Sequence, residues 1–250
     1  MNLAIILVNP QRAENVGAAA RAMKTMGFMD LRLIGEPLHR EKAAQILAHG
    51  SEDVLERGRC FSGLAEALAD TDLAIGTTAK HRHQRRYHCS PQQLADSLRE
   101  RSASVTQAAI IFGCEPHGLT NSDIAHCDLL SQIPLAAPQP SLNLAQAVMI
   151  YCFALSSLSV PTLPAHSLAT HSPSTHLLPV HSRPAQQVSS KEHHAQYHAV
   201  KHRVAALFDK LGVSEPEKSR RWALERLAQA QDKDIKFMHF ICARLEARLK

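Results

Sequence analysis

Residues 108–119 read Ala108-Ala109-Ile110-Ile111-Phe112-Gly113-Cys114-Glu115-Pro116-His117-Gly118-Leu119, an unbroken apolar run followed by a polar turn between two glycines. Such a run, bounded by glycine, is typical of a strand that is buried on both faces of a sheet. Further strands are predicted at Ala4–Val8, Leu31–Ile34 and Leu73–Thr78, and segments with helical spacing separate them. This alternation predicts an α/β fold with a mostly parallel sheet.

Further elements are predicted along the first 158 residues. Short strands are predicted at Arg59–Phe61 and at Leu129–Pro134. Helical spacing predicts helices at Asn15–Gly27, Ala43–His49, Ser62–Ala69 and Pro91–Glu100. Ser141 is a candidate N-cap for a long apolar helix that reaches about Leu158.

Composition divides the chain into three parts. The alternation of strands and helices occupies residues 1–159, and a segment rich in Pro, Ser, Thr and His at 160–190 is predicted to be a linker. Residues 191–250 return to helical spacing and predict a small basic α-helical module, with 13 Lys and Arg against 8 Asp and Glu. A basic tail in a chain of net charge +5 favours an anionic partner, most often nucleic acid. The alternative is a solvated helical surface with spare lysines.

Several classes of protein are disfavoured by what the sequence lacks. The sequence contains no run of 18 apolar residues, so no transmembrane helix is predicted. The N-terminus is interpreted as the first strand of a cytoplasmic protein rather than as a signal peptide. The six cysteines form no C-x-x-C pair, and the 4% aromatic content disfavours an aromatic platform for stacking bases. G-x-G-x-x-G, Walker A, H-E-x-x-H and G-x-S-x-G sequences are absent. No metal site is predicted, because His194, His198 and His202 fit a polar helix face better than a ligand set.

Polar residues and glycines follow predicted strand ends in three segments, and ligands of open α/β sheets bind at that edge. In chain order, the first segment reads Asn15-Val16-Gly17-Ala18-Ala19-Ala20-Arg21 and the second is residues 112–119. The third segment reads Ser141-Leu142-Asn143-Leu144-Ala145-Gln146-Ala147-Val148. Arg21 is charged at any working pH and can hold phosphate or ribose oxygens. Taken singly, the segments also fit a packed helix with a surface arginine, a glycine turn and an N-capped helix. Cys114 fits a packed thiol better than a nucleophile.

In their order and spacing, the three segments resemble the signature motifs of the SpoU/TrmH family of RNA ribose 2′-O-methyltransferases, within the SPOUT class. Residues 20–28 are similar to the TrmJ/LasT-like branch of that family. The resemblance covers about residues 3–158. It implies a SPOUT-type parallel-sheet domain with a C-terminal trefoil knot, which composition alone does not predict. It also implies S-adenosyl-L-methionine bound in the knot and a homodimer whose sites borrow residues from the partner chain.

The resemblance also assigns residues to roles. The catalytic set that it implies is Arg21, Asn15, Glu115, Ser141 and Asn143. The cofactor-binding set that it implies is Thr77, Thr78, Gly113, Cys114, Glu115, Ile133, Ser141, Leu142, Asn143 and Ala147. Relatives often have a polar or basic residue where this chain has Cys114. The predicted RNA-binding residues are Arg12, Lys80, Arg82, Arg85 and Arg86, and a solvated surface loop is the alternative for the last four.

The implied reaction is transfer of a methyl group from S-adenosylmethionine to a ribose 2′-hydroxyl, without a metal. Arg21 is interpreted as stabilising the developing alkoxide and holding the adjacent phosphate, because arginine is hardly ever deprotonated in proteins. The favoured substrate is tRNA, with a TrmJ-like anticodon-loop site, and the alternative substrate is rRNA. Two other functions stay open: a knotted RNA-binding protein without catalysis, and a methyltransferase that acts on a base. The location predicted for such a protein is the cytoplasm.

Overall fold

The computed structural model describes residues 1–79, 88–136, 141–159, 196–213 and 218–249. Within these ranges, one sheet of seven strands has parallel pairing throughout. The strands are β1 (Asn2–Val8), β2 (Asp30–Ile34), β3 (Arg59–Phe61), β4 (Leu73–Thr77), β5 (His88–Cys89), β6 (Gln107–Phe112) and β7 (Leu129–Ser131). Their order across the sheet is β3-β2-β1-β6-β4-β7-β5. The predicted α/β fold with a parallel sheet is confirmed.

Helices alternate with these strands along the first part of the chain, and three more helices form the tail. They are α1 (Ala13–Thr25), α2 (Lys42–Ala48), α3 (Glu52–Glu56), α4 (Leu64–Ala67), α5 (Pro91–Glu100), α6 (Asn121–Ala125), α7 (Leu144–Leu155), α8 (Gln196–Lys210), α9 (Lys218–Leu227) and α10 (Asp232–Arg248). Short 3₁₀ turns occupy Leu38–Arg40 and Ser156–Leu158. No helix of the described ranges is long and apolar enough to span a membrane.

Both faces of the central strands are covered. In β1, Leu3, Ile5 and Leu7 pack into one apolar cluster, and Ala4 and Ile6 pack into another on the opposite face. Successive side chains of a strand point to opposite faces, so an unbroken apolar run fits a strand that lies between two layers. This explains why the central strands are apolar at nearly every position.

The first helix lies unusually close to its neighbour. A β-carbon on Gly17 would overlap the backbone carbonyl of Ala44, so only glycine lets α1 and α2 approach to this distance. Gly17 of the first motif therefore has a packing role, which fixes the position of the helix that carries Asn15 and Arg21.

The structure corrects several predicted boundaries. Asn143, not Ser141, is the N-cap of α7, and its side chain accepts a hydrogen bond from the backbone N–H of Ala145. The last strand stops at Ser131, three residues before Pro134. Strand β5 and helices α3 and α6 were not predicted, because elements of two to five residues are too short to show a period. The linker at 160–190 and residues 137–140 lie outside the described residues, so the threading of the chain into a knot stays a prediction.

The tail packs against the amino-terminal edge of the sheet. Tyr197 and Val200 of α8 are fully enclosed by the same apolar cluster that covers one face of β1. Nearby, the ammonium of Lys201 lies 2.7 Å from a carboxylate oxygen of Asp128, which precedes β7. The guanidinium of Arg101, just after α5, donates to the backbone carbonyl of Ala228. The tail helices are therefore attached at the edge where the strands begin.

Candidate functional site

A cavity of about 410 Å³ opens at the carboxyl-terminal edge of the sheet. Loops that follow β4, β6 and β7, three neighbouring strands, supply most of its wall, and the start of α7 supplies the rest. The lining residues are Thr77, Thr78, Ala79, Phe112, Gly113, Cys114, Glu115, Pro116, His117, Gly118, Leu119, Ile133, Leu135, Ser141, Leu142, Leu144, Ala147 and Tyr151. Parallel strands end together, and this is the edge at which open α/β sheets bind ligands.

The residues predicted to hold a cofactor are brought together here. All of them line the cavity except Asn143, which lies beside it. Sequence reasoning missed several of the other lining residues, including Pro116, His117, Leu119 and Tyr151. Three of these lie in residues 108–119, the stretch that predicted the central strand, so proximity to a strand end was a signal for them. Nothing local distinguishes Tyr151 from the other apolar-face residues of its helix.

The loop after β6 is tightly closed. The N–H of Gly118 donates to the carbonyl of Cys114 at 2.8 Å, and Gly118 adopts a positive φ of 66°. A β-carbon on Gly113 would overlap the backbone of Gly118 and Leu119, so the two ends of the loop touch. Both glycines are therefore required by the backbone, one for the close approach of the loop ends and the other for its positive φ.

A chain of hydrogen bonds joins the three motifs. The side-chain amide of Asn15 donates to Glu115 Oε1 at 2.7 Å, and the amide of Asn143 donates to Asn15 Oδ1 at 2.9 Å. The backbone N–H of Gln11 donates to the other oxygen, Glu115 Oε2, at 2.9 Å. Each link joins residues about 100 or more positions apart in sequence, so the site forms only when α1, the β6 loop and α7 have assembled.

The floor of the cavity is held by backbone contacts and by aromatic packing. The hydroxyl of Thr77 donates to the carbonyl of Ile111 at 2.9 Å, and the N–H of Thr78 donates to the carbonyl of Ser131 at 3.0 Å. The rings of Phe112 and Tyr151 meet edge to face, with centroids 5.4 Å apart. Burial raises the pKa of Tyr151, so its phenol stays neutral over the physiological range.

Arg21 is the one member of the predicted catalytic set that neither lines the cavity nor takes part in the hydrogen-bond chain. It is exposed on α1, and it is not among the residues that line the cavity. Its backbone carbonyl accepts a hydrogen bond from the hydroxyl of Thr25. Ser141 is exposed and lines the cavity, while Asn15, Glu115 and Asn143 form the hydrogen-bond chain.

The predicted RNA-binding residues are only partly described. Arg12 is exposed at the start of α1, and its carbonyl accepts from the N–H of Asn15 at 3.1 Å. The other four, Lys80, Arg82, Arg85 and Arg86, lie outside the described residues. Ala79, directly before them in the chain, lines the cavity. Across the described ranges, no group of three His, Cys, Asp or Glu side chains could hold a metal ion.

Two family models match this chain. Residues 2–153 match the SpoU rRNA Methylase family, and residues 194–249 match the C-terminal domain of the tRNA/rRNA methyltransferase LasT. The residues that line the cavity fall within the first match, and the tail helices fall within the second.

Individual relatives agree with the family models. The uncharacterized tRNA/rRNA methyltransferase LasT of Escherichia coli K12 is 38% identical over 249 residues, covering 100% of this chain and 99% of the relative. The tRNA (cytidine-2′-O-)-methyltransferase TrmJ of Methanocaldococcus jannaschii is 32% identical over 161 residues, 63% of this chain and 69% of the relative. The crystal structure of TrmJ from Z. mobilis ZM4 covers 98% of this chain and 100% of its own, with 28% identity and a TM-score of 0.63.

Proposed function

Because this chain belongs to the SpoU rRNA methylase family, we propose that it is an S-adenosylmethionine-dependent methyltransferase that methylates a ribose 2′-hydroxyl of tRNA. The observation that carries the proposal is the hydrogen-bond chain through Asn15, Glu115 and Asn143, which ties three separate motifs to the wall of one cavity. The relatives named TrmJ support tRNA, and rRNA is the alternative substrate, as the family and LasT descriptions include it.

The cavity fits a small cofactor with apolar and polar parts. Its volume lies in the range of small-molecule sites. Ile133, Leu142 and Ala147 supply apolar wall against which a flat ring could pack, and the loops at Thr77 and Gly113 present backbone groups to its polar edges. Bound there, S-adenosylmethionine would supply a methyl group activated by its positive sulfur. A thiol at Cys114 fits this arrangement as well as a polar side chain would, because the loop backbone makes the proposed contacts.

Arg21 is proposed to stabilise charge on the attacking oxygen and to hold the neighbouring phosphate. A fixed guanidinium is suited to both tasks, because it stays charged and forks toward phosphate oxygens. Asn15, Glu115 and Asn143 would hold the first helix against the cofactor loops. Ser141 would contribute its exposed hydroxyl at the cavity wall.

A homodimer is proposed because Arg21 does not line the cavity of its own chain. In a dimer, a second copy could bring its Arg21 to this cavity. Phe153 is 67% exposed on α7, and Met149, one turn earlier, is 36% exposed. These two apolar side chains lie on the helix whose first turn borders the cavity, so they are the proposed contact between the copies.

The proposed RNA surface combines Arg12, the basic segment 80–86 that follows Ala79 in the sequence, and the tail helices. Lysine and arginine at these places would contact phosphates, which gives affinity without reading sequence. The same assignment divides the chain into a methyltransferase domain at 1–159, a linker at 160–190 and a helical extension at 191–250. Because tRNA and rRNA are the proposed substrates, the proposed location of the protein is the cytoplasm.

The test is methyl transfer from labelled S-adenosylmethionine to total tRNA and, separately, to rRNA, followed by nucleoside analysis. We expect a labelled 2′-O-methylnucleoside in the tRNA pool. Arg21→Ala should lower the rate about 10²- to 10³-fold while most RNA affinity remains, since charge stabilisation in the transition state is lost. Label on a base, or full activity in the Arg21 variant, contradicts the proposal. Cofactor-independent RNA binding without methyl transfer favours the non-catalytic alternative.

A further inference from the structure

The tail helices leave three large aromatic side chains in contact with solvent. Trp222 of α9 is 61% exposed, and Phe237 and Phe240 of α10 are 61% and 56% exposed. Single apolar side chains at a surface are ordinary, but a group of them marks a contact with a partner. The 4% aromatic content of the whole chain does not show that exposed rings are collected in this part of it.

Helix α10 has one buried side and one exposed side. Ile235 and Cys242 are buried in the apolar cluster to which α8 also belongs. Phe237 and Phe240, three positions apart, lie on the opposite side of the helix. Arg244 follows one turn later, with its guanidinium carbon 5.4 Å from the centre of the Phe240 ring. The exposed side of α10 therefore presents rings beside a cation.

Helix α9 repeats this arrangement. Leu227 is buried, whereas Trp222 and Arg226 are exposed and lie four positions apart. The guanidinium carbon of Arg226 is 5.9 Å from the centre of the Trp222 ring. Two consecutive helices thus each carry an exposed ring with an arginine next to it, the geometry of a cation–π pair.

The acidic side chains described on α10 have other contacts. Asp234 accepts a hydrogen bond, at 3.0 Å, from the backbone N–H of the residue that caps the helix. Glu246 pairs with the guanidinium of Arg203 on α8 at 2.7 Å. Arg244 and Arg248 are exposed on the same side of the helix as the phenylalanines. This side is therefore both aromatic and positively charged.

This combination fits unpaired RNA better than it fits a second copy of the chain. A second copy that covered the rings would also take the arginines out of water, which is costly unless acidic partners meet them. RNA supplies base faces for the rings and phosphates for the guanidinium groups. In duplex RNA the bases stack on one another, so only unpaired nucleotides can turn a base toward a protein ring.

We infer that Trp222, Phe237 and Phe240 stack on unpaired bases of the RNA, beside arginines that contact its phosphates. Phosphate contacts alone do not distinguish single-stranded from duplex RNA by its bases, whereas stacking does. The tail therefore selects an RNA that has a single-stranded segment. This inference rests on the proposed function and specifies how the tail helices recognise the substrate.

The first test uses the fluorescence of Trp222, the only tryptophan of the chain. The full-length protein is titrated with an unstructured single-stranded oligoribonucleotide and, separately, with a blunt RNA duplex of the same length. We expect the single strand to quench the emission and to bind about fivefold or more tightly than the duplex, since each stacked base adds affinity. This difference should persist as salt is raised, because stacking releases few counterions. Equal affinities, or single-strand binding without quenching, would overturn the inference.

The second test removes the rings but keeps apolar side chains. Trp222→Leu and the double variant Phe237→Leu/Phe240→Leu should each bind the single strand about fivefold or more weakly, and the duplex within about twofold of wild type. The rate of methyl transfer at saturating RNA should stay unchanged, because this contact is equally strong before and during the reaction. Leu245→Ala is the control, since Leu245 is 45% exposed on another side of α10 and carries no ring. We expect this control to bind both RNAs as wild type does.

Sedimentation of the same variants identifies the alternative occupant. If the aromatic variants lose RNA affinity only as they dissociate into monomers, the surface joins two copies of the chain and the inference is overturned. Failure of this inference also differs from failure of the proposed function. Selective, quenching single-strand binding by a wild-type protein that transfers no methyl group supports the inference and overturns the proposed function. Methyl transfer by wild type, together with unchanged RNA affinity in the aromatic variants, does the reverse.

Discussion

The two edges of the central sheet use polar side chains in opposite ways. At the carboxyl-terminal edge, Glu115 is bound by donors from a distant helix and loop, and an open cavity lies beside it. At the amino-terminal edge, the buried carboxylate of Asp72 accepts from the backbone N–H groups of Thr106 and Gln107, where β6 begins. Asp128 accepts there from the N–H of Ala74 and pairs with a lysine of the tail.

The two edges therefore have different roles: the amino-terminal edge attaches the tail helices, and the carboxyl-terminal edge surrounds the cavity. Carboxylates at the start of strands satisfy backbone donors, and one of them, Asp128, also pairs with Lys201 of the tail. Polar groups after the strand ends are linked to each other around an opening. Substitutions at the carboxyl-terminal edge should therefore reduce binding or catalysis more than stability, and substitutions at the amino-terminal edge should do the reverse.

The largest effect at the carboxyl-terminal edge is expected from Gly113→Ala. The added β-carbon overlaps the backbone of Gly118 and Leu119, so the loop must move out of the cavity wall. Overpacking of this kind typically lowers the free energy of unfolding by about 1–3 kcal/mol. Because the displaced loop forms part of the cavity wall, we also expect at least about a tenfold loss of S-adenosylmethionine affinity, measured by calorimetry. Gly63→Ala is the control, since a β-carbon there meets nothing within 4 Å. Equal affinity in both variants would mean that this loop does not hold the cofactor.

A second substitution at this edge separates the two contacts of Asn143. Its side-chain oxygen caps α7, and its side-chain N–H₂ donates to Asn15. In Asn143→Asp the cap is kept, because aspartate caps helices as well as asparagine does, but no donor faces the amide oxygen of Asn15. We expect a free energy of unfolding within about 0.5 kcal/mol of wild type and a rate of methyl transfer about tenfold lower or more.

The companion variant for this prediction is Asn143→Ala, which removes both contacts. It should match the Asp variant in rate and lose about 1 kcal/mol of stability in addition, as measured by urea unfolding. If Asn143→Asp instead has full activity, the link between α1 and α7 is not needed for catalysis.

The sequence predicted the sheet well because its signals are local. Ala108–Phe112 is apolar at every position, and Gly113 marks its end, so both the strand and the loop that follows it could be read directly. The choice of N-cap failed because Ser141 and Asn143 are both good capping residues two positions apart. The structure selects Asn143, whose backbone N–H donates to Gln146 and whose side chain also donates to Asn15 of α1, a contact that local sequence does not reveal.

Local sequence patterns did not predict the contacts that assemble the site. Asn15 meets Glu115 across 100 positions, and its own helix offers no sign of that partner. Likewise, the helical spacing of residues 191–250 predicted a helical module, but not that Tyr197 would be buried at the start of the strands. Long-range contacts depend on the order of strands in the sheet, which a single sequence does not specify.

At the amino-terminal edge, Lys201→Met should destabilise the fold and leave the rate of methyl transfer at saturating RNA unchanged. It leaves the carboxylate of Asp128, whose side chain is only 8% exposed, without its ammonium partner. Hydrogen bonds to charged groups contribute about 1.5–3 kcal/mol, and the partly exposed lysine places this one near the lower end. Asp96→Asn is the control: it breaks an exposed pair with Arg99, which should be worth less than about 0.5 kcal/mol.

Urea unfolding and the rate of methyl transfer per folded molecule decide this prediction. A normal stability in Lys201→Met would mean that the tail is attached mainly by apolar contacts. A lost methyl-transfer rate at normal stability would break the proposed separation between the two edges.

The smallest effect concerns acidity at the same edge. Burial lowers the pKa of His198, the neighbouring His202 and Lys201 lower it further, and the carboxylates of Asp72 and Asp128 oppose the change. The facing Nε2 atoms of the two imidazoles lie 3.0 Å apart, so at least one of these nitrogens must be unprotonated for them to share a hydrogen bond.

A lowered pKa means that the folded protein binds fewer protons than the unfolded chain, so stability rises with pH. The contribution is present above the unfolded pKa of about 6.5 and is lost as the pH falls below it. We expect the free energy of unfolding to fall by less than about 1 kcal/mol between about pH 7 and pH 5.5, and His198→Gln to remove part of that fall. His126→Gln, at an exposed site, should leave the slope unchanged. The same slope in wild type and in His198→Gln would assign the acid sensitivity to other groups and leave the tail attached in a pH-independent way.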